Sequence, residues 1–512
     1  MIKKKLICIR RFTQSIFLFV FIYILWSATY PLRSFLAPEI FFKINPLIVF
    51  SAGLAERLIL KGAVLTVSMI MFTLILGRFF CGWMCPVGTM IDIAGGLTKT
   101  KKSLPLMINN RLKNFKFYIL LSIALLSLWG IQAAWALDPV VIMARFISFN
   151  FIPAATFIME EALISLIKFF NLYTPLLDFY RMLKGSILGV KAHYFSNAGI
   201  IFFIFLSICS LSLLIRRFWC RILCPLGALY AVLTRFSWLE RITSGCIFCT
   251  KCKVDCRMQA IRPDISYDKP ECILCMDCIY SCPKSITKFC FIRKDESKVK
   301  SKNLNKQKGI SRRDFLLLGV IATSAFFFRF RHKNDNILKN SFIIRPPGAL
   351  EENKFLNRCV RCGNCMKVCP TNGLQPVSLE SGLSGLWTPQ LVPEIGYCEY
   401  NCNLCGNVCP TDAIPRLEVK KKQKMRLGLA KINRNLCLPW KKKKECIVCE
   451  EHCPIPDKAI KLKKERIEGK TVLRPYIDME LCNGCGICVT KCPTRPLRSI
   501  KIFAIRTDRT LQ

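Results

Sequence analysis

Cys482-Asn483-Gly484-Cys485-Gly486-Ile487-Cys488-Val489-Thr490-Lys491-Cys492-Pro493 places three cysteines at every third position, a fourth after three more residues, and a closing proline. Such spacing lets three thiolates grip one face of a cubane [4Fe–4S] cluster. The fourth sits past a turn, where proline stops the chain from continuing as helix. The same run stands at Cys246, Cys249, Cys252 and Cys256, at Cys272, Cys275, Cys278 and Cys282, and at Cys359, Cys362, Cys365 and Cys369. Two versions have one widened gap: Cys398, Cys402, Cys405 and Cys409, then Cys437, Cys446, Cys449 and Cys453. Six near-copies of one spacing do not describe a disulfide framework, and zinc does not need a CxxCxxC triplet with a distant fourth ligand. The sequence predicts six [4Fe–4S] clusters in α+β ferredoxin-like domains.

In two-cluster ferredoxins the fourth cysteine of each run ligates the other cluster. The first two runs are therefore expected to cross. Cys246, Cys249 and Cys252 would take Cys282, while Cys272, Cys275 and Cys278 would take Cys256.

Upstream of these runs the character of the chain changes. Few charges interrupt the first 240 residues, and lysines crowd the last 220. Four segments approach the roughly 20 apolar residues of a membrane span: Phe12–Leu32, Gly62–Gly77, Phe117–Leu137 and Ala192–Ile215. Basic residues flank them on alternate sides: Lys3, Lys4, Lys5, Arg10 and Arg11; then Lys99, Lys101, Lys102, Arg111, Lys113 and Lys116; then Arg216, Arg217 and Arg221. The positive-inside rule puts those regions in the cytoplasm and the segment 138–191 outside, where it is expected to lie on the membrane surface as amphipathic helix.

The membrane region repeats itself. Arg78-Phe79-Phe80-Cys81-Gly82-Trp83-Met84-Cys85-Pro86-Val87-Gly88 matches Arg217-Phe218-Trp219-Cys220-Arg221-Ile222-Leu223-Cys224-Pro225-Leu226-Gly227. Each copy ends a two-helix hairpin, so the expected fold is a four-helix membrane domain of two parallel hairpin repeats. If the repeat axis brings Cys81, Cys85, Cys220 and Cys224 together, they are candidate ligands of a further metal centre or a redox dithiol pair. Structural turn cysteines are the plain alternative. Cys8, Cys209 and Cys290 fit no motif.

Domains are expected at 1–237 (membrane), 238–292 (two-cluster ferredoxin), 293–340 (linker) and 341–512 (four-cluster polyferredoxin). The linker carries Ser311-Arg312-Arg313-Asp314-Phe315-Leu316, a twin-arginine pattern, before the apolar stretch Phe315–Phe328. No small-residue cleavage site follows, so an exported chain would keep the segment as an anchor.

The formal charge is +43, from which six oxidised clusters would remove about 12. The lysine runs Lys420–Lys422 and Lys441–Lys444 lie between cluster motifs without interleaved aromatics. They suit an acidic redox partner or anionic lipid better than nucleic acid. Only His193, His332 and His452 are present, so no axial pairs for a membrane haem can be assembled, and no dinucleotide fingerprint gives flavin or nicotinamide a home.

Together these features resemble two known families. Residues 1–290 are similar to the NapH-type membrane subunit of a quinol dehydrogenase serving periplasmic nitrate reductase, by their four apolar segments, two CxxxCP motifs and two-cluster module. Residues 311–500 resemble the NapG/MauM-type polyferredoxins, through the twin-arginine pattern, four cluster motifs, Gly385-Leu386-Trp387-Thr388-Pro389, and Gly396-Tyr397-Cys398-Glu399-Tyr400-Asn401-Cys402. Two departures stand out: the two subunits are fused, and Arg257 replaces the proline after Cys256. The resemblance implies electron transfer from quinol through the clusters to a periplasmic reductase or redox carrier. It places the first module in the cytoplasm and the polyferredoxin in the periplasm. It also implies that, among the last four motifs, the outer two pair and the inner two pair. Competing readings are a metal- or thiol-reducing maturation factor for a respiratory complex, and a cytoplasmic-facing ferredoxin hub without a quinone site.

Overall fold

A computed structural model describes residues 2–32, 35–58, 60, 62–98, 112–170, 180–182, 184, 193–243, 245–291, 343–379, 382–467 and 470–505. The twin-arginine pattern, Phe315–Phe328 and the whole of the expected linker lie outside the described residues. Contacts divide the chain into two units.

The first unit holds Met1–Ile24, Ile40–Phe146 and Ile200–Arg329. Its apolar segments form helices because unbroken runs of Leu, Ile, Phe and Ala satisfy the backbone internally, as a spanning segment must. Their lengths differ from the hydropathy reading. The first helix runs Ile2–Ser27, and Lys5–Ser27 is long and apolar enough to cross a membrane. The other three expected spans are shorter helices: Ala63–Leu76, Phe115–Leu128 and Ala198–Leu214. Glycine sets both ends of Ala63–Leu76, where Gly62 and Gly77 take φ of 99° and 95°.

The segment 138–191, expected as an amphipathic surface helix, instead contains the apolar helix Pro139–Phe169, which among the described residues is one of two long and apolar enough to cross a membrane. It starts where the Asp138 carboxylate accepts from the amides of Val140 and Val141, with Asn45 Nδ2 donating to its other oxygen. A π turn, Ile147–Phe151, interrupts it.

The two sequence repeats have matching local structure. Arg78 and Arg217 precede short helical turns, Phe79–Trp83 and Trp219–Leu223. Pro86 and Pro225 then occupy the first position of the helices Pro86–Thr98 and Pro225–Thr234, where proline's missing N–H costs nothing. Pro225–Thr234 packs against Ala63–Leu76 and Phe115–Leu128. The first ferredoxin module follows, closed by the antiparallel pair β1 (Leu239–Thr243) and β2 (Thr287–Phe291), with Arg241 opposite Phe289.

The second unit comprises Leu25–Glu39, Ile147–Gly199 and Phe330–Gln512. Its sheets are all two-stranded and antiparallel. They pair β3 (Leu374–Pro376) with β4 (Pro389–Leu391), β5 (Gly428–Ile432) with β8 (Ile500–Ala504), and β6 (Ile460–Ile467) with β7 (Lys470–Ile477). Such small sheets cannot hold a domain by themselves. The cysteines make up the deficit. Cys449, Cys453, Cys482 and Cys488 are buried with Ala430, Ile460, Val489 and Ile500 in one core.

Candidate iron–sulfur centres

Each cluster motif carries a short helix after its opening loop, and in four of the six the residue before that helix takes a left-handed conformation, whereas Asn403 and Ile447 do not. Glycine supplies it at Gly363 and Gly486, with φ of 89° and 85°. Thr250 and Met276 supply it in the first module, with φ of 57° and 62°.

Four pockets are lined by cysteine quartets. Cys246, Cys249 and Cys252 share one with Cys282, as the crossing rule requires. Cys359, Cys362 and Cys365 share one with Cys409, and Cys398, Cys402 and Cys405 share one with Cys369. Cys437, Cys446 and Cys449 share the fourth with Cys492. The two remaining quartets are marked by proximity, the crossing thiol of each raising its neighbours' pKa. Cys256 lies near Cys272, Cys275 and Cys278, and Cys453 lies near Cys485 and Cys488, which in turn interact with Cys482.

The third motif thus crosses with the fourth, and the fifth with the sixth. This corrects the expectation that the outer two and inner two pair. Nearest neighbours along the chain can cross over short connections, which costs less loop entropy. Proximity also orders the four quartets. Cys365 of the Cys359 set lies within electrostatic range of Cys405 of the Cys398 set. The Cys398 set meets the Cys482 set through a backbone bond from the Cys398 amide to the Cys485 carbonyl, 2.8 Å. The Cys482 set adjoins the Cys437 set, with Cys488 and Cys449 buried in one core.

The donor chemistry fits iron–sulfur clusters. Among the described residues no three Cys, His, Asp or Glu side chains close on a point as the ligands of a single ion do. The thiols instead surround a volume, are mostly buried, and receive hydrogen bonds at sulfur. The amides of Ala260 and Ile414 donate to Cys256 and Cys409 at 3.3 and 3.4 Å. Cys492 has the hydroxyls of Thr494 and Ser499 each 3.1 Å away. When bound, such clusters exchange single electrons at potentials set partly by these bonds.

Buried charges anchor the first module. Lys116 Nζ donates to both Glu271 oxygens, at 2.6 and 2.7 Å, and Arg78 Nη1 lies 3.4 Å from the same carboxylate. Burial alone would push the Glu271 carboxyl up, but these two cations hold it at about 2. Asp92 accepts from Arg217 at 2.6 Å and pairs with Arg257 at 2.9 Å; Arg257 also bonds Asp277. Despite burial, Arg217 and Arg257 hold the Asp92 carboxyl well below the usual range. Arg257, standing where proline was expected, therefore ties the cluster loop to the helix Pro86–Thr98. The sequence shows Arg78 and Arg217 in the repeats, and Arg217 as a basic flank, but assigns neither an acidic partner. Their partners Asp92 and Glu271, far off in sequence, carried no signal.

Comparison with known proteins agrees with these centres. One family model, described as 4Fe-4S binding domain, matches residues 60–105 and 197–244, and a second of the same description matches 354–375 and 475–498. A methylamine utilization ferredoxin-type protein MauM from Methylobacillus flagellatus is 30% identical over 207 residues, which are 39% of this chain and 81% of the relative. The chain belongs to the MauM family of ferredoxin-type proteins. A second MauM, from Paracoccus denitrificans, is 36% identical over 29% of this chain and 66% of its own length. Ferredoxin-type protein NapG of Escherichia coli is 39% identical over 154 residues, 29% of this chain; the match spans 65% of that relative. No solved structure matches. The MauM-type chain is an iron–sulfur electron-transfer protein.

Proposed function

We propose that this protein takes electrons from membrane quinol and delivers them, through six [4Fe–4S] clusters, to a periplasmic reductase or redox carrier. The single observation that carries the reading is which segments gather around the polyferredoxin. Lys367 Nζ donates to the Ala28 carbonyl at 3.2 Å, and Asn364 Nδ2 to Pro38 at 3.3 Å. His193 Nε2 lies 2.8 Å from the Cys369 carbonyl, and Asn372 Nδ2 donates to Tyr194 at 2.9 Å. Pro38 lies between the first two expected spans, and Ala28, His193 and Tyr194 lie at the ends of expected spans that face away from the basic flanks, just outside the helices Ile2–Ser27 and Ala198–Leu214. By contrast, Arg10, Lys116 and Arg217, from the basic flanks, engage the first module or the loops beside it.

On this reading the chain sits in the bacterial inner membrane, with the first module inside and the polyferredoxin outside, and the NapH-like and NapG-like functions are joined in one chain. Arg312 and Arg313 would direct export of the folded C-terminal domain, and Phe315–Phe328 would remain as its anchor. The Cys437 quartet, at the far end of the order from the Cys359 quartet, is the exit. The exposed Lys441, Lys442, Lys443 and Lys444 sit between two of its ligands and suit an acidic acceptor.

The test is reduction of the purified protein by menaquinol under anaerobic conditions, followed by electron paramagnetic resonance. Reduced-cluster signals that appear with menaquinol and are blocked by a quinone-site inhibitor support the reading. Clusters that dithionite reduces and menaquinol does not would favour the ferredoxin hub or the maturation factor.

A further inference from the structure

The two CxxxCP motifs contribute to none of the six quartets, yet the fold brings them together. Cys85 interacts electrostatically with Cys81 and Cys220, and Cys224 interacts with Cys220, Cys81 and Cys85. Cys85, Cys220 and Cys224 are buried. The two repeats also brace one another reciprocally. Arg217, from the second, donates to the carbonyls of Cys81 and Gly88 in the first, at 3.4 and 3.5 Å. Arg78, from the first, reaches the loop of the second so closely that a Cβ on Gly227 would lie 2.8 Å from its Nη2 and 3.5 Å from Cys224 Sγ.

We infer that Cys81, Cys85, Cys220 and Cys224 together hold a seventh iron–sulfur centre, shared between the two repeats inside the membrane domain. Each stretch matched by the 4Fe-4S model contains only one motif pair, so a four-ligand cluster needs both. The surroundings repeat those of the ferredoxin quartets. The Gly227 amide donates to Cys224 Sγ at 3.2 Å. Arg78 is wholly buried and faces the Cys81 and Cys224 thiols, with a hydrogen bond to Cys81. The buried Tyr230 hydroxyl has no hydrogen-bond partner and faces Cys81, Cys85 and Cys224. A buried cation and a buried hydroxyl facing four thiols are costly unless the thiols carry negative charge. A tetrathiolate cluster of about −2 supplies that charge.

The site also touches the next centre. A Cβ at Gly82 would lie 2.1 Å from the Ile273 carbonyl oxygen, so the Cys81–Cys85 loop is in backbone contact with the loop between Cys272 and Cys275. Trp83 Nε1 donates to the Leu274 carbonyl at 3.0 Å in the same contact. The seventh centre is therefore adjacent to the Cys272 quartet.

Iron and acid-labile sulfide in the full-length protein, purified anaerobically, test this. The unaltered chain should bind about 28 irons, against about 24 for six cubanes. The double variant Cys85→Ser, Cys220→Ser should lose as many irons as Cys449→Ser prepared beside it, while Cys290→Ser loses none. Equal iron in the double variant and the unaltered chain overturns the inference, as does one zinc per chain that disappears in the double variant. Should the double variant fail to accumulate, the ratio in the unaltered chain decides: about 24 irons with the four thiols open to alkylation contradicts the seventh centre. None of these readouts requires quinol, so they stand or fall apart from the quinol reading.

Discussion

The Cys398 amide donates to the Cys485 carbonyl at 2.8 Å, joining two cluster-binding loops from different two-cluster modules. That bond turns two separate ferredoxin modules into one series: the Cys359, Cys398, Cys482 and Cys437 quartets in turn. A series makes position matter, because removing a carrier has different consequences at its two ends.

Cys449→Ser and Cys365→Ser should therefore differ. Each removes one cluster, about four irons. Cys449→Ser, at the far end, leaves the three other C-terminal clusters reducible by the donor but abolishes transfer to the acceptor. Cys365→Ser, at the near end, leaves the other three oxidised. Cluster-resolved paramagnetic resonance after donor addition distinguishes them, and equal reduction in both variants rules out the series.

Glu271→Ala should destabilise the chain by about 3–5 kcal/mol, because Lys116 and Arg78 would be left buried without their carboxylate. Denaturant or thermal unfolding measures it. Adding Lys116→Met to Glu271→Ala should recover part of the loss, since it removes one uncompensated charge.

Ser499→Ala should lower the reduction potential of the cluster that uses Cys492, while the other clusters stay where they are. The hydroxyl lies 3.1 Å from that sulfur, and hydrogen bonds to ligating sulfur favour the more negative, reduced state. A redox titration monitored by paramagnetic resonance reads the shift.

Gly82→Ala should separate the membrane loop from the Cys272 quartet. The added Cβ meets the Ile273 backbone oxygen at 2.1 Å, and backbone cannot rotate away as a side chain can. Overpacking of this kind costs about 1–3 kcal/mol or more. Limited proteolysis should cut the first module faster in the variant than in the unaltered chain.

The ligands were legible because a cluster needs three of its four cysteines within a few residues, and local spacing survives folding unchanged. Which fourth cysteine completes each quartet was legible in the first module, where only one partner exists. It was not legible in the last four motifs, where nearly equal gaps leave several pairings open and contacts such as Cys398 to Cys485 decide. The segment 138–191 reads as a surface helix because Glu160, Glu161 and Asp178 stand among aromatic and aliphatic residues, and its apolar helix Pro139–Phe169 was not foreseen. In the fold Arg145 is buried, with its Nη2 donating to the Trp135 carbonyl at 2.7 Å, while Glu160 accepts from Tyr180 and Lys184. Hydropathy windows ran past helix ends, such as Leu128, that are set by local turns at Trp129 and Gly130.

The account rests most heavily on the two cluster domains lying on opposite sides of the membrane. Protease added to intact spheroplasts, followed by antibodies against residues 246–290 and against residues 440–512, tests that directly. The account predicts that the C-terminal epitope is lost, the first module is protected until the cells are lysed, and the loss is abolished when Arg312 and Arg313 become lysines. Protection of both epitopes in intact spheroplasts would contradict it and place all six ferredoxin clusters in the cytoplasm.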